Sequence, residues 1–337
     1  MDFGKLSKEL DCARPLLFFH DDPDGLASFL LLYRKLKEGK GIVVKSHPEV
    51  DEKFVHIVDE YQPDKIFVLD LALVNDSFLH RIKTPVVWID HHKPQEPRGT
   101  HYFNPQHSIG NVPCALVCYE AVRQDLWIAM TGIVGDWYYP ELAKEFREKY
   151  PKLLPISSKD PGVVLFETPI GKLARVFSFI LKGTTQDAMK CVKILTRIES
   201  PEEILDRTTP RGMLLYKKFE KINKDYERLL HMAESQFSDD PLLVFVYPGT
   251  EMSFTGDLSN ELLHKFHNKI IIVGRDKSDE VKCSLRSSSK VNLHSLLQKS
   301  LSGVQGYGGG HDQACGAVIK KEDFPRFIDN LREHLKA

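Results

Sequence analysis

The chain has 337 residues, 42% of them apolar and 28% charged, with 46 Lys+Arg against 47 Asp+Glu. This length predicts two domains, and the near-zero net charge excludes a bulk basic field, so a nucleic-acid substrate would need a local basic groove or metal ions to neutralise its phosphates. Residues 1–14 lack the apolar centre of a signal peptide, no run reaches membrane-span length, and the six cysteines include no CxxC pair; a soluble, cytoplasmic protein without a zinc ribbon is expected.

In chain order, the apolar run Leu16-Leu17-Phe18-Phe19 reads as a buried strand that ends in His20-Asp21-Asp22-Pro23-Asp24-Gly25. From Gly25 the period becomes helical, with Leu26, Phe29, Leu30, Tyr33 and Leu36 on one face. Asp22 and Asp24 fall near the start of that helix, where the backbone dipole favours negative charge. Ile42-Val43-Val44 is a second strand, and residues 52–61 suit a helix. Ile66-Phe67-Val68-Leu69 runs into Asp70, and Val86-Val87-Trp88-Ile89 runs into Asp90-His91-His92, with a short helix at 76–82 between them. Alternating strands and helices predict a parallel α/β sheet with right-handed crossovers, whose ligand crevice lies at the carboxyl ends of the strands.

Residues 101–111 and 150–165 read as loops, and 115–122 and 126–134 as buried helices. The second of these helices leads into Gly135-Asp136, another acid after an apolar segment. The pattern is helical from about 168 to 206. Thr208-Thr209-Pro210 then starts a long amphipathic helix with Leu215, Phe219, Ile222, Tyr226 and Leu229 on its apolar face. Its interleaved lysines and acids fit a solvated outer face. Strand signals return at 242–246, 270–273 and 281–286, with helices near 257–267 and 322–335 and a glycine-rich stretch from 302 to 316. The expected organisation is a catalytic domain with a helical extension over 1–206, a connector helix over 207–238, and a smaller α/β domain over 239–337.

Carboxylate oxygens suit Mg²⁺ and Mn²⁺, and imidazole adds affinity for borderline ions. His20, Asp22, Asp24, Asp70, His91 and Asp136 are enough donors for two ions, the arrangement used for in-line displacement at phosphorus. The donor set contains no cysteine, which favours Mn²⁺ over Zn²⁺, with Mg²⁺ as a substitute. Each residue has a plainer reading: Asp22, Asp24 or Asp136 as a helix cap, Asp70 as a turn, and His91 with His92 as an ordinary loop pair. The recurrence of acids after apolar segments is what those readings leave unexplained.

Asp90-His91-His92, taken with His20-Asp21-Asp22-Pro23-Asp24-Gly25, Val68-Leu69-Asp70 and Gly135-Asp136, resembles the four-motif core of the DHH phosphoesterase superfamily. Gly308-Gly309-Gly310-His311 resembles the GGGH motif of the DHH-associated domain, and Cys283-Ser284-Leu285-Arg286-Ser287 its preceding strand. That second domain is similar to those of RecJ-like exonucleases and of the nanoRNase and pAp-phosphatase group, unlike family II pyrophosphatases and exopolyphosphatases. His20 stands two positions before Asp22, as in compact archaeal RecJ-like nucleases. In the nanoRNases a histidine usually precedes the acid by four, a position held here by Phe18.

The resemblance implies one ion on Asp24, Asp70, His91 and Asp136, and another on His20, Asp22 and Asp70, with Asp70 shared. It places His92 near the scissile phosphate, Asp90 behind the histidines, and Asn104 beside the site. Arg286, Gly308, Gly309, Gly310 and His311 would bind substrate, the alternative for that stretch being a tight turn with a surface arginine. The expected activity is Mn²⁺-dependent removal of nucleotides from single-stranded DNA or RNA. The rivals are cleavage of nanoRNA, pAp or linear or cyclic dinucleotides, and a non-catalytic replication or repair partner. The resemblance is also compatible with a replication or repair protein partner and with a homo-oligomer.

Overall fold

The computed structural model describes residues 1–45, 49–97, 99–250, 252–288 and 291–336. The chain divides into two compact units, Met1–Phe219 and Glu220–Ala337. The division falls inside one continuous helix, Pro210–Glu234.

The first unit is built on five strands: β1 (Pro15–His20), β2 (Lys40–Val44), β3 (Lys65–Leu69), β4 (Val86–Ile89) and β5 (Thr100–Phe103). They pair in the order β2-β1-β3-β4-β5, every pair parallel. Their apolar residues are continuous because both faces of the sheet are covered. Leu16, Phe18, Ile66, Val68, Val86 and Trp88 face Val55, Val58 and Phe78 on one side. Helix α1 (Pro23–Leu36) packs on the other side with α2 (Cys114–Val122) and α3 (Leu126–Gly135), and the rings of Phe19 and Phe29 stack at 4.5 Å. In this strand order the chain leaves β1 towards opposite edges, which opens a crevice between the carboxyl ends of β1 and β3.

Three expectations need correction in detail. Residues 101–111 are not all loop: Thr100–Phe103 is β5, a four-residue edge strand whose strand-forming Thr, Tyr and Phe make too short a run to stand out until it pairs with β4. Within 150–165, Pro161 opens a helix, Pro161–Glu167, capped by Asp160 through the N–H groups of Gly162 and Val163. The pattern from 168 to 206 is three helices, Pro169–Ile180, Thr185–Leu195 and Pro201–Leu205, interrupted at Gly183 and Ser200.

The second unit has a mixed sheet of β6 (Leu242–Pro248), β7 (Ile270–Lys277), β8 (Glu280–Ser287), β9 (Gly306–Gly310) and β10 (Ala314–Lys320), ordered β9-β10-β8-β7-β6. Only β6 and β7 run parallel. Val281, Cys283, Leu285, Cys315, Ala317 and Ile319 form one core with Leu293, Leu297 and Phe327. The glycine-rich stretch is therefore an edge strand and not a tight turn, because pairing with β10 supplies what its own side chains cannot. The later half of Pro210–Glu234 belongs to this unit, where the Tyr226 hydroxyl donates to Glu261 Oε2 at 2.7 Å.

Candidate metal centre

The carboxyl ends of β1, β3 and β4 bring His20, Asp70 and His91 to the crevice. The apolar runs end at Phe19, Leu69 and Ile89, so His20 and Asp70 follow directly and His91 follows the buried Asp90. Asp70 takes a left-handed backbone (φ 56°), a conformation that aspartate tolerates better than most residues. Its N–H is held by Ile89 O at 2.9 Å.

Asp22 and Asp24 arrive on the turn into α1, and both are caps. Asp22 Oδ1 accepts from Gly25 N at 2.8 Å, closing its own helix. Asp24, 1% exposed, accepts from Cys114 N and Ala115 N, both at 2.7 Å, so it closes the start of a different helix, α2. Asp136 follows α3, which lies very close to α1. A Cβ at Gly135 would stand 2.5 Å from Pro23 Cβ, and one at Gly132 2.5 Å from Ala27 Cβ. Those two glycines let the helix ends meet and carry Asp136 to the centre.

Together these residues form overlapping donor groups: His20 with Asp22 and Asp70, Asp24 with His91 and Asp136, and Asp70 with His91 and His92. His20 Nδ1 lies 2.7 Å from Asp22 Oδ2 and 3.4 Å from Asp70 Oδ2. His91 Nε2 lies 3.3 Å from Asp70 Oδ1, 3.7 Å from Asp136 Oδ2 and 4.0 Å from Asp24 Oδ2. Asp70 is 1% exposed, and neither of its oxygens has a well-formed hydrogen bond. A buried carboxylate in that condition is costly unless a cation meets it.

The titration of the cluster points the same way. Burial pushes Asp70 up, but His20 and His91 outweigh it and hold the group well below the usual carboxylate range. Burial, then Asp70 and Asp136, push Asp24 well above that range. Burial also raises Asp136 to about 7. Burial works against charge on His91, yet Asp70, Asp24 and Asp136 push it up to about 11. Three crowded carboxylates thus favour positive charge or protons among them, as expected of residues that can hold a cation. The acidic and imidazole donors fit divalent ions of the Mg²⁺ and Mn²⁺ kind.

Asp90 is fully buried. Its Oδ1 lies 2.6 Å from His92 Nδ1, and its Oδ2 accepts from His92 N at 3.0 Å. Asn104, 3% exposed, donates to His92 O at 2.9 Å and to the Tyr102 hydroxyl at 2.8 Å, and its Oδ1 accepts from Gln106 N at 2.9 Å. Its amide is thus spent on the protein, behind the histidine loop. Sequence reasoning missed Gln106, whose Nε2 donates to His91 O at 2.7 Å, and Asn111, whose Oδ1 lies 3.2 Å from His91 Nδ1. Neither carries a local signal, although Gln106 sits two places after Asn104 in the Asn104-Pro105 pair. Arg286, Gly308, Gly309, Gly310 and His311 lie in the second unit, with Arg286 Nε donating to Asn260 Oδ1 at 2.7 Å.

Comparison with known proteins adds to this geometry. Residues 239–337 match the DHHA1 domain. A search of curated proteins finds no match. Among solved structures, RecJ of Thermus thermophilus in complex with Mn²⁺ is similar at 16% identity and TM-score 0.70, over 98% of this chain and 54% of that one. The chain thus spans about half the length of that protein. A structure of exonuclease RecJ bound to manganese aligns at 15% identity and TM-score 0.65, over 98% and 93% of the two chains. The pGpG-specific phosphodiesterase PggH of Vibrio cholerae aligns at 15% identity and TM-score 0.52, over 97% and 99%. At these identities the likeness speaks for the fold. The chain shares its fold with these RecJ and phosphodiesterase structures. The DHHA1 match falls within the second unit.

Proposed function

We propose that the chain is a RecJ-like phosphodiesterase that removes nucleotides from single-stranded DNA or RNA with two divalent ions, Mn²⁺ first and Mg²⁺ as substitute. The observation that carries this reading is Asp70, a buried carboxylate without a well-formed hydrogen bond, standing between His20 and His91. Asp24, Asp70, His91 and Asp136 would hold one ion, and His20, Asp22 and Asp70 the other. When bound, such ions activate water and neutralise phosphate oxygens.

The remaining work falls to the chain's own side chains. Asp90 engages His92 Nδ1 and leaves Nε2 for the phosphate or the leaving oxygen. Burial opposes charge on His92, but Asp90 outweighs it and raises the imidazole above its ordinary value, which suits a proton donor near neutral pH. Asn104 and Gln106 hold the carbonyls of His91 and His92, so we assign them to positioning. Arg286 and His311 are assigned to substrate phosphate in the second unit.

The test is digestion of end-labelled DNA and RNA oligonucleotides of graded length with Mn²⁺. A ladder of successive shortening is expected, absent in Asp70→Asn. Wild-type turnover by that variant would refute the site assignment. The likeness to a pGpG-specific phosphodiesterase over nearly all of both chains favours a second reading, a dinucleotide enzyme. Cleavage confined to the shortest oligomers would select it.

A further inference from the structure

The sheet of the second unit has one face in its core and another partly open. Along β8 the core residues Val281, Cys283 and Leu285 alternate with Lys282, Ser284 and Arg286. Along β10, Cys315, Ala317 and Ile319 alternate with Ala314, Gly316 and Val318. On β9, a Cβ at Gly308 would meet Leu297 of the core, so Gly308 points inward, and its neighbours Tyr307 and Gly309 point to the open face. The registers align these outer residues in rows. Lys282 pairs with Val318, and Val318 with Tyr307. Ser284 pairs with Gly316, and Gly316 with Gly309. Arg286 pairs with Ala314, whose carbonyl holds His311 N at 2.8 Å.

The middle row has almost no side chains. A Cβ at Gly309 would meet nothing within 4 Å, and one at Gly316 would meet only Cys283 O at 3.9 Å. The result is a recess of about 330 Å³, floored by Gly309 and Gly316 and walled by Tyr307, Val318 and Lys282. Tyr307 is 69% exposed, the highest figure among the exposed large hydrophobic side chains described. An exposed aromatic alone is ordinary. Here it stands beside a flat floor of bare backbone, with a cation in its own row and an arginine and a histidine along the far row. The described lining residues include no carboxylate.

We propose that this recess is a nucleobase subsite in which Tyr307 supplies the stacking wall. A flat π-face fits a floor without Cβ atoms, the flanking Lys282 and Arg286 match the charge of the attached phosphates, and His311 adds a polar contact. The inference rests on the nuclease reading and extends it: the second unit grips the base as well as the phosphate, in a manner tolerant of base identity.

The experiment uses the full chain with a chelator to stop hydrolysis, and single-stranded oligonucleotides carrying 2-aminopurine at each position in turn. Quenching at one position is expected. Tyr307→Ala should abolish it and weaken affinity by about 5- to 100-fold, while Tyr307→Phe keeps both. With an abasic residue at that position, wild type and Tyr307→Ala should bind alike. Unchanged quenching and affinity in Tyr307→Ala would overturn the inference, as would a loss that persists with the abasic strand. A change in self-association without a change in affinity would overturn it too, by assigning Tyr307 to an interface between copies. If wild type cleaves oligonucleotides with Mn²⁺ while these signals fail, the activity stands and the subsite falls; if it neither binds nor cleaves, both fall.

Discussion

Asp24 serves the metal-free protein as well as the proposed metal centre, and Asp24→Ala separates the two roles. The side chain is buried and accepts from Cys114 N and Ala115 N at 2.7 Å. Alanine leaves both donors without a partner at the start of α2. Each buried unpaired N–H costs about 1–3 kcal/mol, and loss of a helix cap alone costs about 1 kcal/mol. Relief of repulsion from Asp70 and Asp136, which with burial push the carboxyl of Asp24 well above the usual range, offsets part of this. A net loss of about 2–5 kcal/mol is expected in chelator. For a unit of this size that lowers Tm by roughly 5–15 °C. The assay is calorimetric or spectroscopic melting in excess chelator, beside Asp70→Asn as the comparison. Asp70 caps no described helix but is held below the usual range by His20 and His91, so in chelator Asp70→Asn should lose those two contacts and no cap. It should also lose the rise in Tm that added Mn²⁺ confers, a rise worth about 2.7 kcal/mol at a hundredfold excess over Kd. An Asp24→Ala protein that melts within a degree of wild type in chelator would refute the capping account.

Three other expectations follow from single contacts. Asp90→Asn removes the charge that supports His92 while preserving shape, and kcat for oligonucleotide cleavage should fall by about 10²–10⁴-fold with a much smaller change in KM. Gly135→Ala places a methyl 2.5 Å from Pro23 Cβ, so overpacking should cost about 1–3 kcal/mol in denaturant titration and weaken Mn²⁺ binding by moving Asp136. Asp240 concerns the second unit: burial pushes its carboxyl up, but Leu242 N–H and Arg332 outweigh that and hold it below the usual range. A lowered folded value means that its stabilisation is complete above about pH 4 and is lost as pH falls through the folded value. Asp240→Asn should therefore lower the denaturant midpoint of this unit at pH 7 and converge with wild type in strong acid.

Much of the first unit was legible because its signals are local. An apolar run that ends in an acid marks both a buried strand and what that strand delivers, so His20, Asp70 and His91 could be found without coordinates. Asp22 and Asp24 were weighed as caps or ligands; they are in fact caps standing among potential ligands. Capping of α2 by Asp24 joins residues 90 apart, and nothing at either position announces it. Asn111 and Gln106 touch the histidines through loops whose path depends on β5, a strand too short to stand out by itself.

The glycine stretch marks the same boundary. Composition alone offered a turn for residues 306–310, since glycine permits almost any backbone. Pairing with β10 made it a strand and put Tyr307, Gly309 and Gly316 on one face. What the sequence determined by itself is the alternation of elements and the kinds of atom at the strand ends, because periodicity and side-chain chemistry are properties of neighbouring residues. What only the tertiary structure decided is the order β2-β1-β3-β4-β5, the close approach of α3 to α1, and the meeting of the acids around Asp70. Those arise from pairing and packing between distant segments, whose free energy appears only when both partners are in place.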